Sequence, residues 1–464
     1  MANFSIPSTE REKAELLFHE GNHQLAQGDF AAAEVSFRTA VELDPDFGQA
    51  LTNLAYVLDH GGDLAQAELM YRRAQAAGVD AFELHMNLGV LLATQKRFDE
   101  AEMSYSQALR CNPEVSAVWS NLGVLYLGLK REPEAEAHLQ QALALDPANA
   151  KAQFNLSYLY LRNGQFEAGW RCLEARDWYA ALAKHFTCPR WSGESLAGKS
   201  LVIGYEAGHG DVIQFARYVP ILKALGARAI TLICHPALKD VLQTLDGITT
   251  VQGFDEDIAL EGWDYWTPLM SIAHHLKTRA DTIPAQIPYL RANVALVKHW
   301  AALLPVGKVR VGLVWQGNPR FENDAERSLA SIRLLAPLWQ VSGVTFVSLQ
   351  KGAGEAELTD LEAQFPLTDL GSKVASFSDT AAIVAGLDLV ICVDTAVAHL
   401  AGALGKPCWV LLPDYMTDWR WGREGASSAW YPQQMRLFRQ RTRGDWPWLV
   451  QEVATALDLF ARQH

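Results

Sequence analysis

A chain of 464 residues is too long for one compact core, so two or three domains are expected. Its 49% hydrophobic and 20% charged residues are those of a globular protein, and a net charge of −13 excludes a general nucleic-acid binder, which needs a basic footprint. No apolar run is long enough to span a bilayer, and the opening MANFSIPSTEREKAELL lacks a basic region followed by an apolar one, so the expected compartment is the cytoplasm.

From residue 14 to 176 the chain repeats itself every 34 residues, the tetratricopeptide period. Gly21, Ala55, Gly89, Gly123 and Ser157 share one position; Ala33, Ala67, Ala101, Ala135 and Gly169 share another; Ala40, Ala74, Ala108 and Ala142 share a third. Small residues at these places let two helices approach closely, while Phe37, Tyr71, Tyr105 and Leu139 fill the space between pairs. Pro45, Pro113 and Pro147 end the second helix of their repeats, and Val79 breaks that pattern. Four full repeats and a partial fifth, ending in GQFEAGWRCLEAR, are predicted as an α-solenoid.

Such stacks expose a groove that takes an extended peptide or a partner helix. Asn53, Asn87, Asn121 and Asn155 recur at the same period and are candidate partner-binding residues, because a primary amide can clamp a peptide backbone through both its ends. They serve equally well as a ladder bonding neighbouring repeats.

Residues 177–198 break the period and read as a joint. The break after Arg176 predicts that a fragment 187–464 folds without the repeats. Residues 199–295 then read as a first α/β lobe, with strands at Leu201–Tyr205, Ile230–Cys234 and Thr249–Gln252 and one more in WDYWTPLMS. The loop EAGHGD joins the first strand to a helix over VIQFARYVPILKALGA, and its two glycines flanking His209 permit close backbone approach to a ligand. A Pro-containing linker, Ile283–Pro305, leads to a second lobe, 306–464. Its strands are Val309–Trp315, Thr345–Leu349, Leu389–Val393 and Cys408–Leu412; its helices begin at Ser331, span Phe377–Gly386, follow Thr395 and close the chain at Trp448–Arg462.

Asp394 and Thr395 sit at the carboxyl end of a buried strand, just before a short helix, where open α/β sheets bind ligands and a helix N-terminus attracts phosphate. Capping that helix is the simpler use of the same two residues. The whole string D-T-x-x-x-H-L-x-x-A-L-G-x-P, here Asp394, Thr395, His399, Leu400, Ala403, Leu404, Gly405 and Pro407, resembles the nucleotide-sugar motif of the lipopolysaccharide heptosyltransferase family. The chain is similar to bacterial proteins that join tetratricopeptide repeats to such a domain, and the resemblance spans roughly the last 270 residues.

That resemblance implies a two-lobed, GT-B-like double Rossmann glycosyltransferase that is inverting and metal-independent, with a nucleotide sugar as substrate and no cofactor. The pair Gly210-Asp211 matches the family's first-lobe motif, which makes Asp211 the general base, with His209 the alternative. Capping the following helix is the competing use of Asp211, and filling the loop that of His209. Asp394, Thr395, Ala396 and His399 carry over as donor contacts, Ala396 standing where many members have Gly. His399 reaches a phosphate or the sugar, or bonds a neighbouring carbonyl instead.

In the loop after Val314, Gln316, Asn318, Arg320 and Arg327 are further donor candidates, and Arg327 is preferred as diphosphate clamp for its two parallel donors. Gln350 and Lys351 end a strand at the same sheet edge. Trp419, Trp421, Trp430 and Tyr431 share one loop with Arg420 and read either as a stacking surface for sugar and base or as plain packing. Asp255 and Asp257 form an acidic D-E-D, yet no carboxylate pair between strand ends calls for a metal, and none is expected. Six cysteines, Cys111, Cys172, Cys188, Cys234, Cys392 and Cys408, show no metal spacing and read as small buried residues. The expected function is sugar transfer to a protein docked by the repeats; transfer to lipopolysaccharide or another glycan, and a catalytically inactive nucleotide-binding scaffold, are the alternatives.

Overall fold

The computed structural model describes residues 9–176, 179–258, 261–360 and 365–464. The expectation for the N-terminal stretch falls on residues 1–8, and the start of the joint on 177–178, both outside the described residues. The chain forms two compact units, Met1–Ala152 and Gln153–His464.

The first unit is a run of antiparallel helix pairs: Glu10–Ala26 with Phe30–Leu43, Gly48–His60 with Leu64–Ala76, Phe82–Thr94 with Phe98–Cys111, and Ser116–Gly128 with Glu132–Leu145. The first helix starts four residues before the expected boundary at 14, because Thr9 and Glu12 form a capping box. The small-residue positions do what their period predicts. A methyl group added at Gly21 would lie 2.6 Å from the Phe37 ring, at Gly89 2.6 Å from Tyr105, and at Gly123 2.5 Å from Leu139. The matching alanines at 33, 67, 101 and 135 are fully buried. The first, third and fourth repeats therefore replace a side chain with an aromatic or leucine from the partner helix, and the second keeps the buried Ala55.

The second unit begins inside the repeat pattern. Its first helices, Ala150–Arg162 and Phe166–Leu173, were expected to close the solenoid, yet Leu161, Phe166, Trp170 and Leu173 belong to the core of the α/β part. Trp170 donates its indole N–H to the Thr278 carbonyl at 2.8 Å and meets Trp419 edge-on at 5.5 Å. Arg176 makes a fork-to-fork pair with Glu206, at 2.8 and 3.0 Å, and also donates to Ser271 Oγ at 2.7 Å. Glu206 in turn accepts the Met270 N–H at 2.7 Å. Both charges are buried, and the pair ties the end of the repeat pattern to the turn after the strand Ser200–Gly204.

Two parallel sheets follow. Strands β1 (Ser200–Gly204), β2 (Ala229–Cys234), β3 (Thr250–Gly253) and β4 (Tyr265–Pro268) order 3-2-1-4. Strands β5 (Val309–Val314), β6 (Val344–Ser348), β7 (Leu367–Asp369), β8 (Leu389–Val393), β9 (Cys408–Leu412) and β10 (Met435–Arg439) order 10-9-8-5-6-7. The strands are near-continuous apolar runs because both faces are covered. The helix expected over 212–227 is broken into His209–Phe215, a 3₁₀ turn Ala216–Tyr218 and Val219–Ala224, since Pro220 cannot continue the hydrogen-bond ladder. The linker expected at 283–305 contains a helix, Val294–Ala301, capped by Asn293. The last helix, Trp446–Gln463, packs against the 3₁₀ segment Ile332–Gln340 and β10, and so stays on the second lobe. Among the described residues no helix is long and apolar enough to cross a membrane.

Candidate functional site

The carboxyl ends of β1 and β8 face each other within the second unit. The helix after β1, His209–Phe215, packs directly on the helix after β8, Ala396–Ala403. Gly210 is what allows the contact: a Cβ there would stand 3.0 Å from His399 Cδ2 and 3.5 Å from Ala396 Cα. The turn before the second helix holds Asp394 and Thr395 at the end of buried β8. Thr395 occupies the N-cap in extended conformation, but its hydroxyl makes no capping bond. Its Oγ1 is buried beside the Cys392 thiol and has no hydrogen-bond partner. The capping alternative for Thr395 therefore does not describe its side chain, and the helix N–H groups lack that partner.

Charge gathers on the same spot. Arg420, buried, donates to both oxygens of Asp418 at 3.0 Å, to Asp211 Oδ1 and to Gln214 Oε1. Its partners hold the guanidinium protonated against the cost of burial. Burial and the nearby Asp418 carboxylate push Asp394 up to about 6; Arg327, Arg420 and the neighbouring Trp421 indole oppose that rise without forming a good hydrogen bond. His399 is buried, stacks on Trp421 at 5.2 Å and lies 3.2 Å from the Tyr431 hydroxyl through Nδ1. Burial, aided by Arg420 and Arg217, drives its pKa well below the usual value, so the ring is neutral at pH 7.

The candidate bases stand on the facing turn. Asp211 Oδ2 accepts the Gly208 N–H at 2.8 Å as the third residue of its helix, while Oδ1 takes Arg420, so both oxygens are occupied. Asp211 is therefore not the N-cap expected of it, a place Gly208 takes, but the third residue of the helix bonding back to that cap, alongside the ion pair. His209 packs edge-on to His235 at 4.5 Å and stacks on Phe377 at 5.4 Å. Burial and His235 lower its pKa, and its Nε2 is buried without a partner. A neutral imidazole is the state a general base needs.

The remaining sequence candidates divide. Arg327 is half-buried at this site, donates to Asp324 at 3.0 Å and lies over the Phe321 ring at 4.2 Å. Gly317 makes room for it, since a Cβ there would be 2.7 Å from the guanidinium. Gln350 is a staple: its side-chain oxygen accepts the Trp315 and Gln316 N–H groups at 3.0 Å, and its nitrogen donates to the Gln316 carbonyl at 3.0 Å. Gln316 donates to the Leu329 carbonyl and to Glu357, so both glutamines shape the loop from within. Asn318 and Lys351 are exposed, the first receiving the Arg320 N–H and the second reaching the Ser372 carbonyl.

The Trp-rich loop is packing: Trp419, Trp421, Trp430 and Tyr431 are all at most 2% exposed, which leaves no face for a sugar. Two residues that sequence reasoning left aside matter here. Arg420 ties the two lobes together through Asp211, and Arg217 lies buried under Tyr431, 4.5 Å from the ring, donating to the Trp430 carbonyl at 2.8 Å. Their bonds across the lobes leave no local signal, because Gln214 and Trp430, the partners there, lie about 200 residues away in the chain. A cavity of about 210 Å³ opens beside Arg217, Pro284 and Tyr289, away from Asp394 and Thr395.

The asparagines that recur every 34 residues are partly buried. Asn53 donates to Asn22 Oδ1 at 2.6 Å, a bond between neighbouring repeats, and Asn87 lies beside the Tyr71 hydroxyl. Asn155 belongs to the second unit and Asn121 to the first.

Comparison with known proteins agrees with this organisation. Residues 18–79, 80–148 and 130–176 match tetratricopeptide repeat families, and residues 334–411 match glycosyltransferase family 9 (heptosyltransferase). The chain is 32% identical over 329 residues to protein FlbA of Caulobacter vibrioides, covering 64% of this chain and 53% of that protein, so it spans about half the length of this curated relative. Similar solved structures include YrrB, a tetratricopeptide repeat protein, at 20% identity over 37% of this chain and 91% of that chain, with a TM-score of 0.32. PilF of Pseudomonas aeruginosa is another, at 22% identity over 46% and 86%, with a TM-score of 0.35. Matches to tetratricopeptide repeat families over residues 18–176 and to the glycosyltransferase family 9 model over residues 334–411 together support a glycosyltransferase.

Proposed function

We propose that the chain is an inverting, metal-independent glycosyltransferase of the cytoplasm that moves a sugar from a nucleotide-sugar donor to a protein held by its repeats. The observation that carries this reading is the Asp394-Thr395 turn: a buried hydroxyl without a partner at a helix N-terminus, in a stretch that matches family 9. The diphosphate takes the Thr395 hydroxyl and the helix N–H groups, with Arg327 turning from Asp324 to share the charge. Those donors stabilise the leaving diphosphate without a metal. On the facing turn His209 or Asp211 receives the acceptor's proton as the acceptor oxygen bonds to the anomeric carbon and the bond to diphosphate breaks.

One observation favours a second reading, an inactive nucleotide-binding scaffold: Arg420 and its aromatic neighbours hold Asp211 in a closed network. A thermal-shift screen of nucleoside diphosphates and nucleotide sugars tests both, because a ligand that binds only the folded state raises its stability. The proposal expects one base to raise the melting temperature and Thr395→Val to abolish the rise. Binding followed by no single-turnover transfer would select the scaffold, and no shift with any nucleotide would remove both readings.

A further inference from the structure

Three metal-ligand side chains converge in the third repeat, at a place the transfer reaction does not use. Asp80 lies just before the helix Phe82–Thr94, His85 is in that helix's first turn, and Cys111 ends the antiparallel partner Phe98–Cys111. His85 Nε2 is 2.7 Å from Asp80 Oδ1, Cys111 Sγ is 3.3 Å from the same oxygen, and all three ligand atoms lie within 4.8 Å of one another. His85 is buried, while the mouth is open to solvent at Cys111 and Asp80. Gln107 closes one side by donating to Asp80 Oδ1 at 2.9 Å, and Gln75 stands 3.5 Å from His85 Nδ1 on the other.

The repeat itself is the control. One period earlier the three positions carry Asp46, Leu51 and Ala77; one period later they carry Glu114, Trp119 and Leu145. An acidic residue is common to all three repeats, whereas imidazole and thiol appear together only here. Solenoid packing asks for an apolar side chain at position 85, where Leu51 is buried in the repeat before, and this chain buries a histidine instead.

We propose that Asp80, His85 and Cys111 form a binding site for a borderline-soft divalent cation of the Zn²⁺ type. Imidazole nitrogen, thiolate sulfur and carboxylate oxygen are its ligand set, and three protein ligands leave a fourth, tetrahedral position for water. Bond lengths of about 2.0–2.3 Å put tetrahedral ligand atoms roughly 3.4 Å apart, so the cysteine–aspartate pair is already at distance and the histidine–aspartate pair must open by less than about 1 Å. Binding replaces the Asp80 hydrogen bonds from His85 and Cys111 with metal–ligand bonds. The Cys111 thiol proton goes to solvent as the sulfur–metal bond forms, with no change in oxidation state. The ion then fastens the start of one helix to the end of its partner.

Co²⁺ titration of the full chain after chelator treatment tests the site, since a thiolate on Co²⁺ gives a sulfur-to-metal charge-transfer band. The expected result is one Co²⁺ per chain with that band, displaced by Zn²⁺ with release of one proton when the apo chain is loaded directly. Cys111→Ser should abolish the band, and His85→Leu, which installs the residue of the preceding repeat and keeps the packing, should weaken binding at least about 10-fold. Zn²⁺ should raise the melting temperature of the wild type and not of either variant. A band that survives Cys111→Ser, or a wild-type chain with neither band nor melting shift, would reduce the cluster to a hydrogen-bonded triad and overturn the proposal.

Discussion

In the proposed reaction Asp394 and the two candidate bases each act through a single proton. Asp394 in the folded chain titrates near 6, above its ordinary 3.8, because burial and Asp418 disfavour its charge. Between those two values the folded state holds a proton that the unfolded state has lost, so this group subtracts stability as pH rises, and the loss is complete above about 6. Asp394 keeps part of its surface open to water, which limits the cost to about 1–2 kcal/mol. Asp394→Asn should therefore stabilise the apo protein by that amount at pH 7.5 and by nearly nothing at pH 4, as read by urea unfolding at both values. A gain of equal size at both pH values would mean that packing, and no titration, is responsible. On the facing turn, Asp211→Asn keeps the cap to Gly208 but weakens the Arg420 pair, whereas His209→Ala removes an unpartnered nitrogen. Loss of a general base costs on the order of 10²- to 10⁴-fold in turnover. Single-turnover rates should place that loss on one variant, with nucleotide affinity little changed in it; full activity in both would leave the turn without a catalytic role.

At the scale of elements, the last helical pair changes what a domain boundary means in this chain. The 34-residue period runs through Arg176, yet Trp170 packs against Phe215, Trp419 and Trp430, and Arg176 neutralises the buried Glu206. A fragment 187–464 strips the buried Glu206 of its Arg176 partner and opens a cavity the size of an indole, a combined cost of several kcal/mol. It should aggregate or melt far below the full chain, while a fragment 153–464, which keeps the pair, should fold and bind nucleotide. Equal melting temperatures for the two would restore the boundary at 176. The period was legible because small residues recur at helix crossings, and β5, β6, β8 and β9 were legible as buried apolar runs. Two strands were not. β7 is only Leu367–Asp369, and β10 reads MRLFR; both are sheet edges, where one side needs no partner and the apolar run is short or interrupted by charge. The Asp211–Arg420 pair and the Asp80–His85–Cys111 cluster escaped for a related reason: their spacings are set by how elements stack, and no window of sequence contains them. Three of the six cysteines depart from the expected burial, Cys111 being exposed and Cys172 and Cys188 half-buried.

For the whole molecule, the question is whether the repeats present the acceptor to the transferase or serve only as scaffold. A tetratricopeptide stack stores its stability in nearest-neighbour contacts, so a polar side chain in the groove that contributes little to those contacts is available for a ligand. Asn53, Asn87 and Asn121 are all partly buried; Asn53 is used between repeats through Asn22, Asn87 meets the Tyr71 hydroxyl with one end of its amide, and Asn121 follows one repeat on. A pair of amides one repeat apart can each accept a backbone N–H and donate to a carbonyl of an extended segment, holding its direction while leaving its side chains free. Replacing Asn87 and Asn121 together by Ala should lower modification of a protein acceptor at least 10-fold, at roughly 1 kcal/mol or more for each lost clamp. Hydrolysis of the donor by water, which needs no docked protein, should stay at the wild-type rate, and the melting temperature should move by no more than a few degrees. A fall in both reactions would trace the effect to folding, and unchanged modification with unchanged stability would assign the asparagines to no recognition role, leaving the acceptor to be chosen by the transferase lobes themselves.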